Sequence, residues 1–548
     1  MRDARRNQNP AESLHSRERP ALGTTWPDAT KVAQALADAY RPVREEVDVV
    51  LPCVTGKVPE ALRGVLFRNG PGQMEVFGEP YTHPFDGDGM VTRFGFEGGR
   101  VTYRNRFVRT AAYCEEQLAG RMLYRSFGTN RPGGLLRNLF DTRFKNAANT
   151  SVLLQNDRLY ALWEGGLPHA LDPETLETLG EDDFAGALRD PNSRVAPVLP
   201  FSAHPKRPGG GAHVYNFGVQ GALKPALQRY RLNGDGALEP RIPFSLGGVS
   251  FMHDFVVTET KAVFFDVPAR FRMLKALSGW ASPVESLAFK PDARARVLCF
   301  DRDSDAPPIE FTGPEGFVFH FVNAFDDPLA SRSAPRVIVD AIKLNRFPRG
   351  TLNVRDPDAI LNFPYPASAL VRFTLDLTPG GEIRPAIERV LHDAPAELPT
   401  VAASRCGLPH RVAWAIAGLP RWPLPILPML RRYDLGNAAE QQATTTGETL
   451  PNMHTVDRNF APDIPSEAIF VPRTARAPDR TASSYSPDAL DDSSSDGWLL
   501  TVVYRADKGR SDLCILDART LEDVAVLALP HHIPPSFHGL WDDHRKNA

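Results

Sequence analysis

The chain has 548 residues, with 63 Lys plus Arg against 66 Asp plus Glu and a formal net charge of -3, so it carries no field strong enough to draw nucleic acid. At 42% hydrophobic and 24% charged it has a soluble globular composition, and its 50 prolines and 41 glycines favour short strands over a helical bundle or coiled coil. Cys53, Cys114, Cys299, Cys406 and Cys514 lie far apart without a C-x-x-C pair, which removes a zinc or redox reading and suits a reducing cytoplasm.

Residues 1–45, beginning MRDARRNQNPAESLHSRERP, are polar and lack the apolar core of a secretory signal; they read as a disordered leader before a single domain over 46–548. From about residue 50, short apolar runs end in Gly, Pro, Asn or Asp. SVLLQNDRLYALWEGG from Ser151, HVYNFG from His213, HDFVVTETKAVFFDVP from His253 and WLLTVVYRADKGRSDLCILDA from Trp498 read as strands ended by turns. LDPETLE from Leu171 and LDARTLE from Leu516 resemble each other, which suggests repeated sheet units such as propeller blades, with a pair of β-sandwiches as the alternative.

Helical signals are local. GLLRNLFDTRF from Gly134 is one; FRMLKALSGW from Phe271 is the other, with Met273, Leu274, Leu277 and Trp280 at helical spacing around Arg272 and Lys275. Such a helix either covers a sheet or faces lipid. The stretch Val412 to Leu430 is apolar, but Arg421 and Pro420, Pro423, Pro425 and Pro428 exclude a membrane-spanning helix and leave Trp422 to Leu430 as a weaker lipid contact. Ala475 to Asp496 is rich in Ser, Asp and Pro and reads as a surface loop.

Phosphate-cradling glycine motifs are absent. Ser250 in GVSFM lacks the second glycine of a nucleophile elbow, and the run Asp301, Asp303, Asp305 meets Ala306 and Thr312 where a calcium loop needs glycine and glutamate. Histidine is the richer resource. Of 14 histidines, four sit among apolar and small residues near strand ends: His204 in FSAHPK, His253 in SFMHDFVVTE, His320 in FHFVNAF and His538 in FHGLW. Singly, each reads as a satisfied core residue; jointly, they could turn neutral nitrogens toward one point. Glu164 in ALWEGG, Glu397 in AELP and Glu467 in PSEAIF have similar settings. Each alone could be an ion-pair partner. Together they suit a histidine-only metal site, because a metal-bound imidazole usually passes its other N–H to a carboxylate.

With VTGKVPEALRGVLFRNGPG from Val54, HPFDGDGM from His83, RFVRT from Arg106 and NTSVLLQNDRLYALWEGGLPHALDPETLETLG from Asn149, these motifs run from Leu51 to Asp542, and the chain resembles the carotenoid cleavage oxygenase family. The resemblance implies an all-β fold, a seven-bladed β-propeller with a helical dome over one face. It implies one iron(II) per chain on His204, His253, His320 and His538, with Glu164, Glu397 and Glu467 behind His253, His320 and His538 respectively and no glutamate behind His204. Iron(II) accepts six ligands, so four imidazoles leave room for O2 as co-substrate.

The implied reaction is dioxygen cleavage of a conjugated carbon–carbon double bond of a carotenoid or apocarotenoid, giving aldehyde or ketone products. Stilbene cleavage and retinoid or carotenoid isomerisation are the alternatives on the same scaffold. Trp163 stands where the stilbene branch tends to carry lysine, so a substrate cavity beside it suits an apolar polyene better than a phenolate. An apolar substrate implies peripheral contact with a membrane surface, for which Phe271, Met273, Leu274, Leu277 and Trp280 are the candidates. Neither nucleic acid nor an obligate protein partner is expected. The chain departs from the family pattern at Asp326, Thr400, Ser536 and RPGGGAH from Arg207, which bears on substrate fit and leaves every ligand in place.

Overall fold

The structure, a computed structural model, describes residues 28–543 apart from 142, 191–197, 222–224, 291, 349, 351, 381, 420–426, 437–452 and 475–494. Seven sheets of four to six strands form the blades of a β-propeller, with few helices. Two strand exchanges close the ring. Cys53–Gly56 joins the last blade by pairing with Asp523–Ala528, and Gly539–Asp542 joins the first by pairing with Gly64–Gln73.

Seven apolar clusters fill the seven interfaces between neighbouring blades. In strand Lys261–Asp266, Ala262 and Phe264 enter one interface beside Phe217 and Phe255. Val263 and Phe265 enter the next, beside Phe321, Val339 and Phe373. Because successive side chains point to opposite faces and both faces are buried, such a strand reads as a continuous apolar run without alternation.

Local chemistry sets the turns. Asn156 and Asp157, at φ 49° and 57°, link Ser151–Gln155 to Arg158–Leu162 as the two-residue, positive-φ loop that asparagine and aspartate tolerate. The two similar heptapeptides occupy equivalent turns in two blades. Asp172 accepts from the N–H groups of Glu174 and Thr175 at 3.0 and 2.7 Å. Asp517 accepts from those of Arg519 and Thr520 at 2.9 and 3.1 Å, and Leu176 and Leu521 follow at φ 61° and 60°. The shared sequence is therefore an aspartate-nucleated turn repeated between outer strands.

Two expectations change. Of the leader expected over 1–45, residues 1–27 lie outside the described residues, and Ala29–Ala39 is a helix, capped by Asp28 and burying Val32, Ala33, Ala35, Leu36, Ala37 and Ala39 in a cluster with Ile360, Ile464 and Tyr504. Its partners lie hundreds of residues downstream, so its own polar surroundings concealed it. The two expected helices are short, Gly134–Asn138 and Met273–Leu277; Ser278 caps the second by donating to the Lys275 carbonyl at 2.6 Å, and Gly279 turns the chain at φ 75°. Trp422 and residues 475–494 of the expected surface loop lie outside the described residues. Among the described residues no helix is long and apolar enough to cross a membrane.

Candidate metal centre

The four histidines come from four different blades. His204 precedes strand Val214–Gln220, His253 precedes Val256–Val257, His320 lies within Phe317–Asp326, and His538 immediately precedes Gly539–Asp542. Each of these is an edge strand of its sheet, so the ring of blades brings together residues remote in sequence. Their ligand atoms all lie within 4.8 Å of one another. His253 is central: its Nε2 is 2.9 Å from Nε2 of His204 and 3.1 Å from that of His320.

The ring orientations are fixed from behind. Nδ1 of His320 lies 2.6 Å from Glu397 Oε2, and Nδ1 of His538 lies 2.8 Å from Glu467 Oε1. Glu164 contacts Nδ1 of His253. A carboxylate at Nδ1 holds the proton there and leaves the Nε2 lone pair facing inward. Glu467 also accepts from the Gly539 N–H at 2.9 Å through its second oxygen, so it grips both the His538 ring and the next backbone unit. Burial, reinforced by His538, His320 and Lys206, holds His204 well below the ordinary histidine range; burial followed by His320 and His538 does the same for His253. Both are therefore neutral at pH 7.

This donor set fits a metal ion. Bonds of about 2.0–2.1 Å place right-angled nitrogen pairs about 2.8–3.0 Å apart and tetrahedral pairs about 3.3–3.4 Å apart. The separations of 2.9 and 3.1 Å are those of nitrogens close enough to share one ion.

Two β-bulges aim the His320–Glu397 pair. The register of Phe317–Asp326 against Arg336–Leu344 shifts between Val318 and Phe321, on either side of His320. The register of Ala396–Thr400 shifts after Glu397, where Leu398 adopts φ 50°. An extra residue re-aims the local side chain, so strict alternation along FHFVNAF does not give the direction of His320.

The departures from the family pattern are each bonded. Thr400 Oγ1 donates to the carbonyl of Ala468 at 2.9 Å, beside Glu467. Ser536 Oγ accepts from Arg68 Nε at 2.8 Å, and the same guanidinium donates to the Glu467 carbonyl at 2.7 Å. Asp326 accepts from Thr258 Oγ1 at 2.9 Å and Thr260 Oγ1 at 3.0 Å. Arg68 is fully buried, so with a divalent ion and three glutamates its charge brings the shell to neutrality.

Phenylalanines wall the centre, and sequence reasoning named none of them. The Phe319 ring lies tilted by 49° against that of His253, with the centroids 4.1 Å apart. Phe85 lies 6.0 Å from Phe319 and 5.5 Å from Phe537, and Phe127 stacks on Phe251 at 5.9 Å. The available signal was the Phe-His dipeptide at His320 and at His538. Asp86 of HPFDGDGM places Phe127 by accepting from the Gly128 N–H at 2.8 Å and Thr129 Oγ1 at 2.6 Å.

Trp163 follows strand Arg158–Leu162, immediately before Glu164, and is half-buried. A Cβ on Gly165 would come within 2.7 Å of its ring, so glycine there lets the indole fold over the turn. Of the five residues expected at a membrane, Met273, Leu274 and Trp280 are exposed. Phe271 packs against an inter-blade core instead, and Leu277 is half-buried, because the one-turn helix buries Ala276 rather than a long apolar face.

The family model described as retinal pigment epithelial membrane protein matches residues 40–543. The chain is 36% identical over 518 residues to apocarotenoid-15,15'-oxygenase of Synechocystis sp., covering 92% of this chain and 95% of that protein. It is 29% identical over 523 residues to isoeugenol monooxygenase of Pseudomonas putida, covering 92% and 97%. The crystal structure of cobalt-substituted Synechocystis apocarotenoid oxygenase superposes with a TM-score of 0.77 at 34% identity, covering 93% of this chain and 98% of that one.

Proposed function

We propose, from the premise that the chain belongs to the carotenoid cleavage oxygenase family, that it is an iron(II) dioxygenase cleaving a conjugated double bond of a carotenoid or apocarotenoid. The observation that carries this reading is the convergence of four imidazoles within 4.8 Å, backed by three carboxylates and walled by phenylalanine. His204, His253, His320 and His538 would hold the ion. When bound, iron(II) supplies the activation of dioxygen that no side chain here can perform. Glu164, Glu397 and Glu467 retain the Nδ1 protons and keep the rings from turning. Phe85, Phe127, Phe319 and Phe537 exclude water and offer π-faces to a polyene, which has almost no hydrogen-bonding handles. One oxygen atom ends on each carbon of the broken double bond, giving two carbonyl products.

Trp163 favours the polyene over a hydroxystilbene, since an indole presents an apolar face and one N–H donor but no cation for a phenolate. Wild-type protein given an apocarotenal and a hydroxystilbene in parallel is expected to cleave the apocarotenal much faster, with the aldehydes identified by mass spectrometry. Trp163→Lys is expected to lose polyene cleavage while retaining iron. Faster wild-type cleavage of the hydroxystilbene overturns the branch assignment without touching the metal centre.

The exposed apolar surface supports delivery of the substrate from a membrane. Leu136, Phe140, Leu274 and Trp280 are 84%, 73%, 87% and 77% exposed. The two segments are joined by the Phe140 N–H donating to the Leu277 carbonyl at 2.8 Å, so the four side chains belong to one surface. Arg137 and Arg272 flank it and suit anionic headgroups. Leu274→Ser with Trp280→Ser is expected to reduce co-sedimentation with anionic liposomes and to leave cleavage of detergent-dispersed substrate unchanged; undiminished co-sedimentation would place the contact elsewhere.

A further inference from the structure

His204 has no glutamate behind it. Its Nδ1 instead faces Asp254 Oδ1 at 3.9 Å, beyond hydrogen-bond reach but within range of the carboxylate's charge. Asp254 is buried and follows His253 directly. Its Oδ1 lies 2.7 Å from Lys206 Nζ, two residues beyond His204, and accepts from the Phe255 N–H at 2.8 Å. Its Oδ2 accepts from the Phe321 N–H at 2.9 Å, the residue after His320.

One carboxylate thus bonds to the chain segments of three histidines that belong to three blades. The bond to Phe321 falls in the bulged stretch beside His320: Phe321 pairs with Ala341, while Phe319 and His320 before it have no register partner, so the carboxylate holds the strand directly after the unpaired residues. We propose, resting on the metal reading above, that Asp254 is a positioning residue which straps the His204, His253 and His320 segments together and serves His204 as its outer carboxylate. The distribution of labour is then complete: Glu467 and Arg68 fix the His538 segment, and Asp254 fixes the other three relative to one another.

The test is cobalt(II) binding to the purified, metal-depleted full-length protein, measured by competition with a chelator and by the visible absorption bands of the bound ion, which sense ligand geometry. Asp254→Asn keeps the volume but loses the charge and one acceptor oxygen, and is expected to weaken cobalt retention about 10–100-fold, the usual range for outer partners of metal ligands, and to move the absorption bands. Asp254→Glu is expected to restore part of the affinity. Lys206→Met leaves the Phe255 and Phe321 bonds intact and is expected to fall between Asp254→Asn and wild type. The proposal is overturned if Asp254→Asn binds cobalt with wild-type affinity and spectrum. It is equally overturned if affinity falls only in proportion to folded protein, read by circular dichroism, with the bands unmoved. A wild-type protein that takes up no cobalt or iron would instead remove the metal centre itself, a separate outcome.

Discussion

Replacing His253 or His538 by Ala is expected to abolish turnover and to reduce bound iron to a small fraction of one per chain. His253 is the sharper case, since its Nε2 is 2.9 and 3.1 Å from two other ligand nitrogens and its removal opens the middle of the set. It also leaves the half-buried carboxylate of Glu164 without its imidazole. His538 sits next to the short closing strand Gly539–Asp542, and its loss frees Glu467 in the same way. Metal analysis together with product formation reads both effects, and circular dichroism separates them from unfolding. Full activity in either variant would sink the ligand assignment.

Glu397→Gln should leave all four imidazoles in place and still weaken iron binding or turnover about 10–100-fold. The carboxylate meets His320 Nδ1 at 2.6 Å and the Leu398 N–H at 2.9 Å. Both bonds end on Oε2, so the amide oxygen can keep them, but the substitution removes the negative charge. The charge matters because four neutral ligands leave a divalent ion uncompensated, and burial makes that imbalance costly. Equal affinity and rate in the variant would reduce Glu397 to a packing residue.

The blades were readable because their inner strands are buried on two faces and ended by turn residues, as KAVFFD and the Asn156-Asp157 loop illustrate. The pairing of each glutamate with its histidine was not readable from spacing. Nε2 neighbours are 49 and 67 residues apart in sequence, and it was the family resemblance that supplied the correspondence. Where the sequence failed, the cause was long-range pairing. The bulges beside His320 and Glu397 depend on registers set by other strands, so no local pattern marks them. Helix Ala29–Ala39 was hidden because its apolar stripe docks on residues far downstream. Phe271 was grouped with Leu274 by helical spacing, yet the helix begins at Met273 and Phe271 stays with the core. The phenylalanine wall was invisible for a different reason: with 31 phenylalanines in the chain, composition cannot separate a cavity lining from a blade interface.

Titration of the metal-free protein with iron(II) in air, with an apocarotenal present and both carbonyl fragments quantified, tests the central claim most directly. Product formation is predicted to rise in proportion to added iron and to saturate at one equivalent per chain. Cleavage at full rate by the metal-free protein, or iron bound at one equivalent with no carbonyl product formed, would contradict it.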